Sequence, residues 1–316
     1  MTSPRTLMGL LNNADKALEV VHAAMELGVL EALDGGAATL GELAYYLGLR
    51  PMRLHKLLEC LETLGFVSRR QHRDDVTDTV YQPVPGAHRA ALEVLGSSER
   101  TRLADVLRDN QGAVTWPLTG EDEIAAFERG LAVELAPIGE SFRANASRLW
   151  PGGPYRVLDV GGGNGAFGAQ LLADLPGVTV DVYNLTSLRP LVERTRRAGG
   201  WGSRLGFVAG DFLTDPLPAG YDVLTFVRVL HDWSNDEVES LLAKAFDALG
   251  PGGRVVVCEE SRAPVWEFYW SYFLIGVDRA GLLRDTDTYR RMLTASGFAG
   301  VEVLPGPFDV IAARRP

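Results

Sequence analysis

The stretch Arg156-Val157-Leu158-Asp159-Val160-Gly161-Gly162-Gly163-Asn164-Gly165 decides the fold. An apolar, β-prone run ends in glycines, and Phe167, Leu171 and Leu172 then follow at helical spacing. Strand, glycine turn and helix in that order open a Rossmann-like sheet. Glycine suits a turn where ligand atoms come against the backbone, because a Cβ would intrude there.

Taken alone, the stretch is ambiguous. Gly161, Gly163 and Ala166 also satisfy the dinucleotide fingerprint, so a nicotinamide cofactor and S-adenosylmethionine both fit. The residues downstream separate the two. Val178–Tyr183 reads as a second strand, and Phe207–Ala209 leads into Gly210-Asp211-Phe212, a carboxylate and an aromatic at the end of a third. Tyr221–Val227 is a fourth strand, residues 235–249 a helix, and Gly250-Pro251-Gly252-Gly253 turns into a fifth strand, Arg254–Cys258. A helix over Thr286–Ser296 precedes two short runs, Gly300–Val303 and Phe308–Ala313, joined by Leu304-Pro305-Gly306-Pro307. Five β–α units closed by a hairpin predict an antiparallel strand at the sheet edge. That ending is characteristic of methyltransferases and unusual for nicotinamide dehydrogenases.

Upstream, residues 12–34 carry Leu18, Val21 and Met25 on one face and read as a single amphipathic helix stopped by Gly35 and Gly36. Thr39 and Glu42 form a capping-box pattern before Leu43, Ala44 and Leu47, and Pro51 opens a helix carrying Leu54, Leu57, Leu58, Leu61 and Leu64. Two short runs, Phe66–Arg69 and Val76–Tyr81, complete a winged helix-turn-helix. Arg50, Arg53, His55 and Lys56 at the start of its second helix invite a DNA-binding regulator, whereas Glu59 and Glu62 on the same helix favour a structural or dimerisation module. Residues 97–149 read as an irregular helical connector broken around Thr115–Gly120.

Acidic side chains outnumber basic ones 41 to 31 across 316 residues, a net charge of −10. That balance disfavours a nonspecific nucleic-acid or anionic-membrane binder. With 46% hydrophobic and 23% charged residues the proportions are globular, and the length suits two domains. Only Lys16, Lys56 and Lys244 are lysines, which we read as coding bias. Two cysteines, Cys60 and Cys258, allow one disulfide at most and no cysteine metal cluster. Neither a signal-peptide core nor an apolar run of about 20 residues is present, so a soluble cytoplasmic protein is expected.

Asp159-Val160-Gly161-Gly162-Gly163-Asn164-Gly165, Gly210-Asp211-Phe212, His231-Asp232-Trp233 and Gly250-Pro251-Gly252-Gly253, in this order, resemble the small-molecule O-methyltransferases of plants and bacterial secondary metabolism. The resemblance covers nearly the whole chain. It implies an α/β fold, a Rossmann-like class I methyltransferase sheet with an N-terminal, mainly helical winged-helix domain. Residues 1–98 would dimerise, 99–149 connect, and 150–316 bind S-adenosylmethionine, leaving S-adenosylhomocysteine as product. A homodimer acting on a small aromatic or planar acceptor follows, with neither nucleic acid nor membrane as partner.

Carried over by position, Asp159, Gly161 and Gly163 would shape the site for the methionine part of the cofactor. Asp211 and Phe212 would address the adenine, Trp233 would close over it, and Arg228 at the fourth strand's end joins the cofactor set. The family's acidic ribose ligand falls on Asn184, whose amide oxygen lacks the charge-assisted grip of a carboxylate. Asp181 is near but of the wrong strand parity to replace it. His231 would be the general base that deprotonates an acceptor hydroxyl, since a neutral imidazole is available near pH 7 and a phenol of pKa about 10 needs help. Glu259, 28 residues on, would orient the histidine, with Glu260 facing solvent.

A second family glutamate falls on Leu283, ahead of Arg284-Asp285-Thr286, leaving Asp278 or Glu267 as substitutes. Residues 266–273 hold six aromatics in eight positions, and Trp266, Tyr269, Trp270 and Phe273 share one helical face. That stripe reads equally as core or dimer interface and as an acceptor wall. The departures at Asn184 and Leu283 keep open methylation at carbon or nitrogen, or a cofactor-bound reaction without methyl transfer.

Overall fold

The computed structural model describes residues 13–71, 75–95, 102–109, 120, 124, 135–152, 154–259, 264–275 and 281–316. The chain divides into two compact units, Met1–Pro117 with Arg262–Leu283, and Leu118–Ser261 with Arg284–Pro316.

The first unit opens with two helices where the periodicity predicts one. Ala14–Glu26 and Val29–Asp34 are separated at Gly28, which adopts φ 73°, a left-handed conformation open to glycine. The capping box forms as expected. Thr39 Oγ1 accepts from the Glu42 amide at 3.2 Å and Glu42 Oε2 accepts from the Thr39 amide at 2.8 Å, starting helix Leu40–Leu47. Pro51 occupies the first turn of helix Pro51–Thr63. The wing is a three-stranded sheet of order β1-β3-β2, from β1 (Ala38–Thr39), β2 (Val67–Gln71) and β3 (Val80–Pro83). Its last strand starts later than the sequence suggests, because Asp75 caps a 3₁₀ turn over Val76–Asp78 by accepting from the Thr77 amide. The expected connector falls largely outside the described residues, which resolve helices Arg102–Asp109 and Leu135–Ala144 within it.

Helix Pro51–Thr63 turns its basic residues inward. Arg53, His55 and Lys56 are 7%, 2% and 2% exposed, too deep to meet a phosphate backbone. Their partners explain the burial. Glu59, 1% exposed, lies 3.1 Å from Lys56 Nζ, 3.2 Å from Arg69 Nη1 and 3.3 Å from His55 Nε2, and it accepts from Ser271 Oγ at 2.9 Å. His55 Nδ1 pairs with the Tyr81 hydroxyl at 2.7 Å.

Ser271 belongs to the aromatic helix Pro264–Ile275, which the sequence assigns to the catalytic domain but which packs within the first unit. Phe268 and Ile275 are buried in that unit's core beside Leu54, Leu57 and Leu61. The Arg53 guanidinium donates to the Ile275 carbonyl, Tyr272 donates to Glu19, and the Cys60 thiol lies 3.6 Å from the Phe268 carbonyl. The face at positions 268, 271, 272 and 275 is therefore core.

The second unit is built on β4 (Tyr155–Val160), β5 (Val178–Asn184), β6 (Leu205–Ala209), β7 (Val223–Val227), β8 (Arg254–Glu259), β9 (Ala299–Leu304) and β10 (Asp309–Arg314). Their order is β6-β5-β4-β7-β8-β10-β9, parallel from β6 to β8 and antiparallel at β10 and β9, as the terminal hairpin predicts. Strands covered on both faces need continuous apolar runs. Val157, Leu158 and Val160 of β4, and Val255, Val256 and Val257 of β8, are buried throughout. Among the described residues no helix is long and apolar enough to cross a membrane.

Replacing Glu59 by Ala takes a carboxylate from buried Lys56 and from half-buried Arg69, which keeps Glu62, and breaking a buried ion pair costs about 3–5 kcal/mol. We expect Glu59→Ala to lower the stability of the first unit by that order in urea unfolding followed by circular dichroism.

Candidate active site

The carboxyl ends of β4, β5, β6 and β7 and the loops leaving them carry His231 and the residues expected at the cofactor, at the edge where open α/β sheets bind ligands. After β4, Gly161, Gly163 and Gly165 take φ values of 73°, 52° and 78°. Asp159 lies beneath this loop, fully buried, with Oδ1 accepting from the Thr225 hydroxyl at 2.7 Å and Oδ2 finding no hydrogen-bond partner among the described residues. A Cβ at Gly162 would collide with Oδ2, so this carboxylate explains the glycine at 162. Burial pushes the Asp159 carboxyl up to about 7 against the opposing Thr225 bond.

At the end of β5, Asn184 is half-buried and its Oδ1 accepts from the Leu185 amide at 2.8 Å. Asp181 is engaged elsewhere, accepting from the Tyr221 hydroxyl at 2.8 Å, which removes it as the missing ribose carboxylate. After β6, Asp211 Oδ1 accepts from the Leu213 amide, and Phe212 meets Trp233 edge to face, ring centroids 5.4 Å apart at 86°. Lys244 fixes this corner by donating to the carbonyls of Phe212 and Leu213 at 2.9 and 2.7 Å.

The turn after β7 carries the pair most able to move a proton. Arg228 adopts φ 59°, the one described non-glycine with positive φ. The chain reverses there, and the next two amides, Val229 and Leu230, both donate to Glu259 Oε1 at 3.0 and 2.7 Å. Glu259 Oε2 stands 2.7 Å from His231 Nδ1, and both side chains are 4% exposed. The Arg228 guanidinium lies over the Phe308 ring at 5.7 Å.

A second carboxylate stands beside His231, from the next residue in the chain. Asp232 Oδ1 lies 3.4 Å from Nε2. Asp278 and Glu260 lie outside the described residues, as does the side chain of Glu267. Adjacency to His231 was the only signal for Asp232, and a neighbour in sequence gives no direction. Leu283, at the position of the absent glutamate, is buried.

Burial alone would lower the pKa of His231, but Asp232 and Glu259 outweigh it and, against Arg228, hold the imidazole above its ordinary value. Burial would raise Glu259, yet His231, Arg228 and the Leu230 amide hold it below the usual carboxylate range. Asp232 is raised by burial and by Glu259, against the pull of His231 and Arg228. A buried imidazole between two carboxylates can take a proton and hold it.

The same edge suits a ligand with a cationic amine and a flat ring. The loop has no side chains of its own at 161–163, Asp159 keeps a buried oxygen with no hydrogen-bond partner among the described residues, and Phe212 with Trp233 offers aromatic surface. Those features fit S-adenosylmethionine. Of the aromatic stripe, Phe273 is half-buried, whereas the side chains of Trp266, Tyr269 and Trp270 lie outside the described residues.

A family model for the O-methyltransferase domain matches residues 112–299, and one for the O-methyltransferase dimerisation domain matches residues 11–89. The chain belongs to this O-methyltransferase family, with S-adenosylmethionine as cofactor. It is 30% identical over 339 residues to a mitomycin biosynthesis 6-O-methyltransferase of Streptomyces lavendulae, spanning 98% of this chain and 94% of that protein. It is 28% identical over 326 residues to the demethylspheroidene O-methyltransferase of Cereibacter sphaeroides, spanning 94% and 84%. A crystal structure of an O-methyltransferase family 2 protein from Planctomyces limnophilus, in complex with apigenin, superposes with TM-score 0.77 at 19% identity over 100% of this chain and 97% of that one. At that identity the likeness shows the fold.

Asp159 gives a pH signature of the protein without ligand. Its folded carboxyl keeps a proton up to about pH 7 and its unfolded one only to 3.8, so folding is penalised progressively as pH rises through that window, by roughly 4 kcal/mol in full. Asp159→Asn should flatten the loss of stability between pH 4 and pH 7, measured by urea unfolding at a series of pH values, and should be the more stable protein above about pH 7.

Proposed function

We propose that this chain transfers the methyl group of S-adenosylmethionine to a hydroxyl of a small aromatic or enolic acceptor in bacterial secondary-metabolite biosynthesis, with His231 as general base. The observation that carries the proposal is the buried His231–Glu259 pair, 2.7 Å apart, at the sheet edge that holds the glycine loop. S-adenosylmethionine supplies an electrophilic methyl group on a sulfonium. Glu259 holds the proton on Nδ1, which leaves Nε2 with the lone pair that receives the proton of the acceptor hydroxyl. Asp232 and Glu259 then stabilise the imidazolium. Transfer between an anionic oxygen and a sulfonium neutralises charge, so a water-poor site favours it without an oxyanion hole.

In this proposal Asp159, Gly161 and Gly163 serve the methionine part of the cofactor, Asn184 the ribose, and Asp211, Phe212 and Trp233 the adenine. Arg228 belongs to the cofactor set and also contributes the reversed backbone that aims two amides at Glu259. Trp266, Tyr269, Trp270 and Phe273 are assigned to acceptor recognition. The names of the relatives point to demethylspheroidene and to mitomycin biosynthesis, and for this chain they support only methylation of a small-molecule hydroxyl.

Removing the base should cost about 10²- to 10⁴-fold in kcat, so His231→Ala is expected to lose that much while still binding S-adenosylmethionine in calorimetry. A full rate in this variant would remove the general-base mechanism. The raised pKa of His231 puts the acidic limb of kcat/KM above pH 6.5, because the base works deprotonated. Glu259→Gln deletes one of the raising charges and should move that limb to lower pH. Assays against phenols, enols, amines and activated carbons identify the acceptor atom, and methyl appearing only on carbon or nitrogen overturns the hydroxyl assignment.

A further inference from the structure

Arg284 is absent from every assignment above, yet its guanidinium grips the segment that carries His231 and Trp233. It is 5% exposed. Its Nη1 donates to the Leu230 carbonyl at 2.9 Å, its Nη2 to the Trp233 carbonyl at 2.7 Å, and its Nε to Asn235 Oδ1 at 2.9 Å. These acceptors bracket His231 and run from the end of the β7 turn to the first residue of helix Asn235–Ala248. A planar guanidinium presents donors in a fixed fork that can meet acceptors on separate residues, which a lysine ammonium cannot reproduce from one point.

The local amide bonds of the gripped turn are long. Asp232 N to the Val229 carbonyl and Trp233 N to the Leu230 carbonyl are both 3.3 Å, at the long end for an amide hydrogen bond. Arg284 itself is held from behind. Asp285 caps helix Thr286–Ala295, accepting from the Thr288 amide at 2.7 Å, and the guanidinium stands over the ring of buried Tyr289 at 5.9 Å. The grip therefore passes from an anchored helix to a turn whose local amide bonds are long and which Glu259 holds through the Val229 and Leu230 amides.

We infer that Arg284 is a positioning residue of the methyl-transfer site: through the carbonyls of Leu230 and Trp233 it sets His231 against Glu259 and Trp233 against Phe212. This inference rests on the roles proposed above for His231 and Trp233. The charged and titratable groups facing His231 are Glu259, Asp232 and Arg228, and those near Tyr289 are Glu259, Asp232 and Arg284. Arg284 thus acts on the placement of the base and donates nothing to the reacting atoms.

The test compares wild type, Arg284→Lys and Asn235→Ala in the full-length protein. Hydrogen exchange of the amides of residues 229–235 should accelerate about tenfold or more in Arg284→Lys, with exchange in the sheet strands unchanged. A displacement of about 1 Å at a reacting group costs of order 10²-fold, so kcat should fall by that order while the acceptor KM changes little. Calorimetric affinity for S-adenosylmethionine should weaken as Trp233 loosens. Asn235→Ala, which removes one acceptor of the grip, should show the same pattern to a smaller degree, and the double variant should be less impaired than the two single losses combined. Unchanged exchange at 229–235 in Arg284→Lys, or wild-type kcat, overturns the inference. If Arg284→Lys does not fold, Asn235→Ala decides alone, and wild-type exchange and kcat in it refute the grip. A wild-type protein that methylates no hydroxyl sinks the function proposed above, while exchange and calorimetry still decide Arg284.

Discussion

A buried carboxylate with three donors aimed at it organises the catalytic unit. Glu259 ends β8 inside the protein, where an unpartnered charge would be costly, and it is satisfied by the amides of Val229 and Leu230 and by His231 Nδ1. To deliver those amides, the chain must reverse at Arg228, and the positive φ of 59° there is the local strain that accompanies the arrangement. The same reversal sends His231 and Trp233 to the sheet edge where the glycine loop lies. Catalytic geometry and the satisfaction of a buried charge are thus one constraint. Arg284 closes the arrangement from the other side of the turn.

A second buried carboxylate organises the N-terminal unit. Glu59 collects Lys56, Arg69, His55 and Ser271, and through Ser271 it ties helix Pro264–Ile275 to helix Pro51–Thr63. This network turns inward the basic face that a winged helix would offer to DNA, and the match to a dimerisation domain over residues 11–89 agrees with that loss. Chain order and spatial membership part company here. The aromatic helix follows β8 in sequence, but its face at 268, 271, 272 and 275 is completed only by the core of the first unit.

The sheet was legible because its signals are local and periodic. Apolar runs of β-branched residues, glycine at the β4 turn and a Pro-Gly pair in the last hairpin mark the strands, and five β–α units followed by a hairpin predict the antiparallel edge that forms. Caps were legible for the same reason, since Thr39 with Glu42 and Pro51 act within a single helical turn. The break at Gly28 was not, because the apolar period continues through it and only the backbone conformation ends the helix.

Motifs whose meaning depends on neighbours along the chain carry the strands, the antiparallel ending of the sheet, the glycine loop and the identities of His231 and Glu259. Tertiary structure alone decided which carboxylate faces Nε2, what Asp159 does to Gly162, and that Arg284 grips the turn 54 residues before it. It also decided that Arg53, His55 and Lys56 point inward. The physical reason is common to all of these. A hydrogen bond between residues far apart in sequence depends on the packing of whole elements, and no spacing along the chain encodes the direction in which a side chain finds its partner.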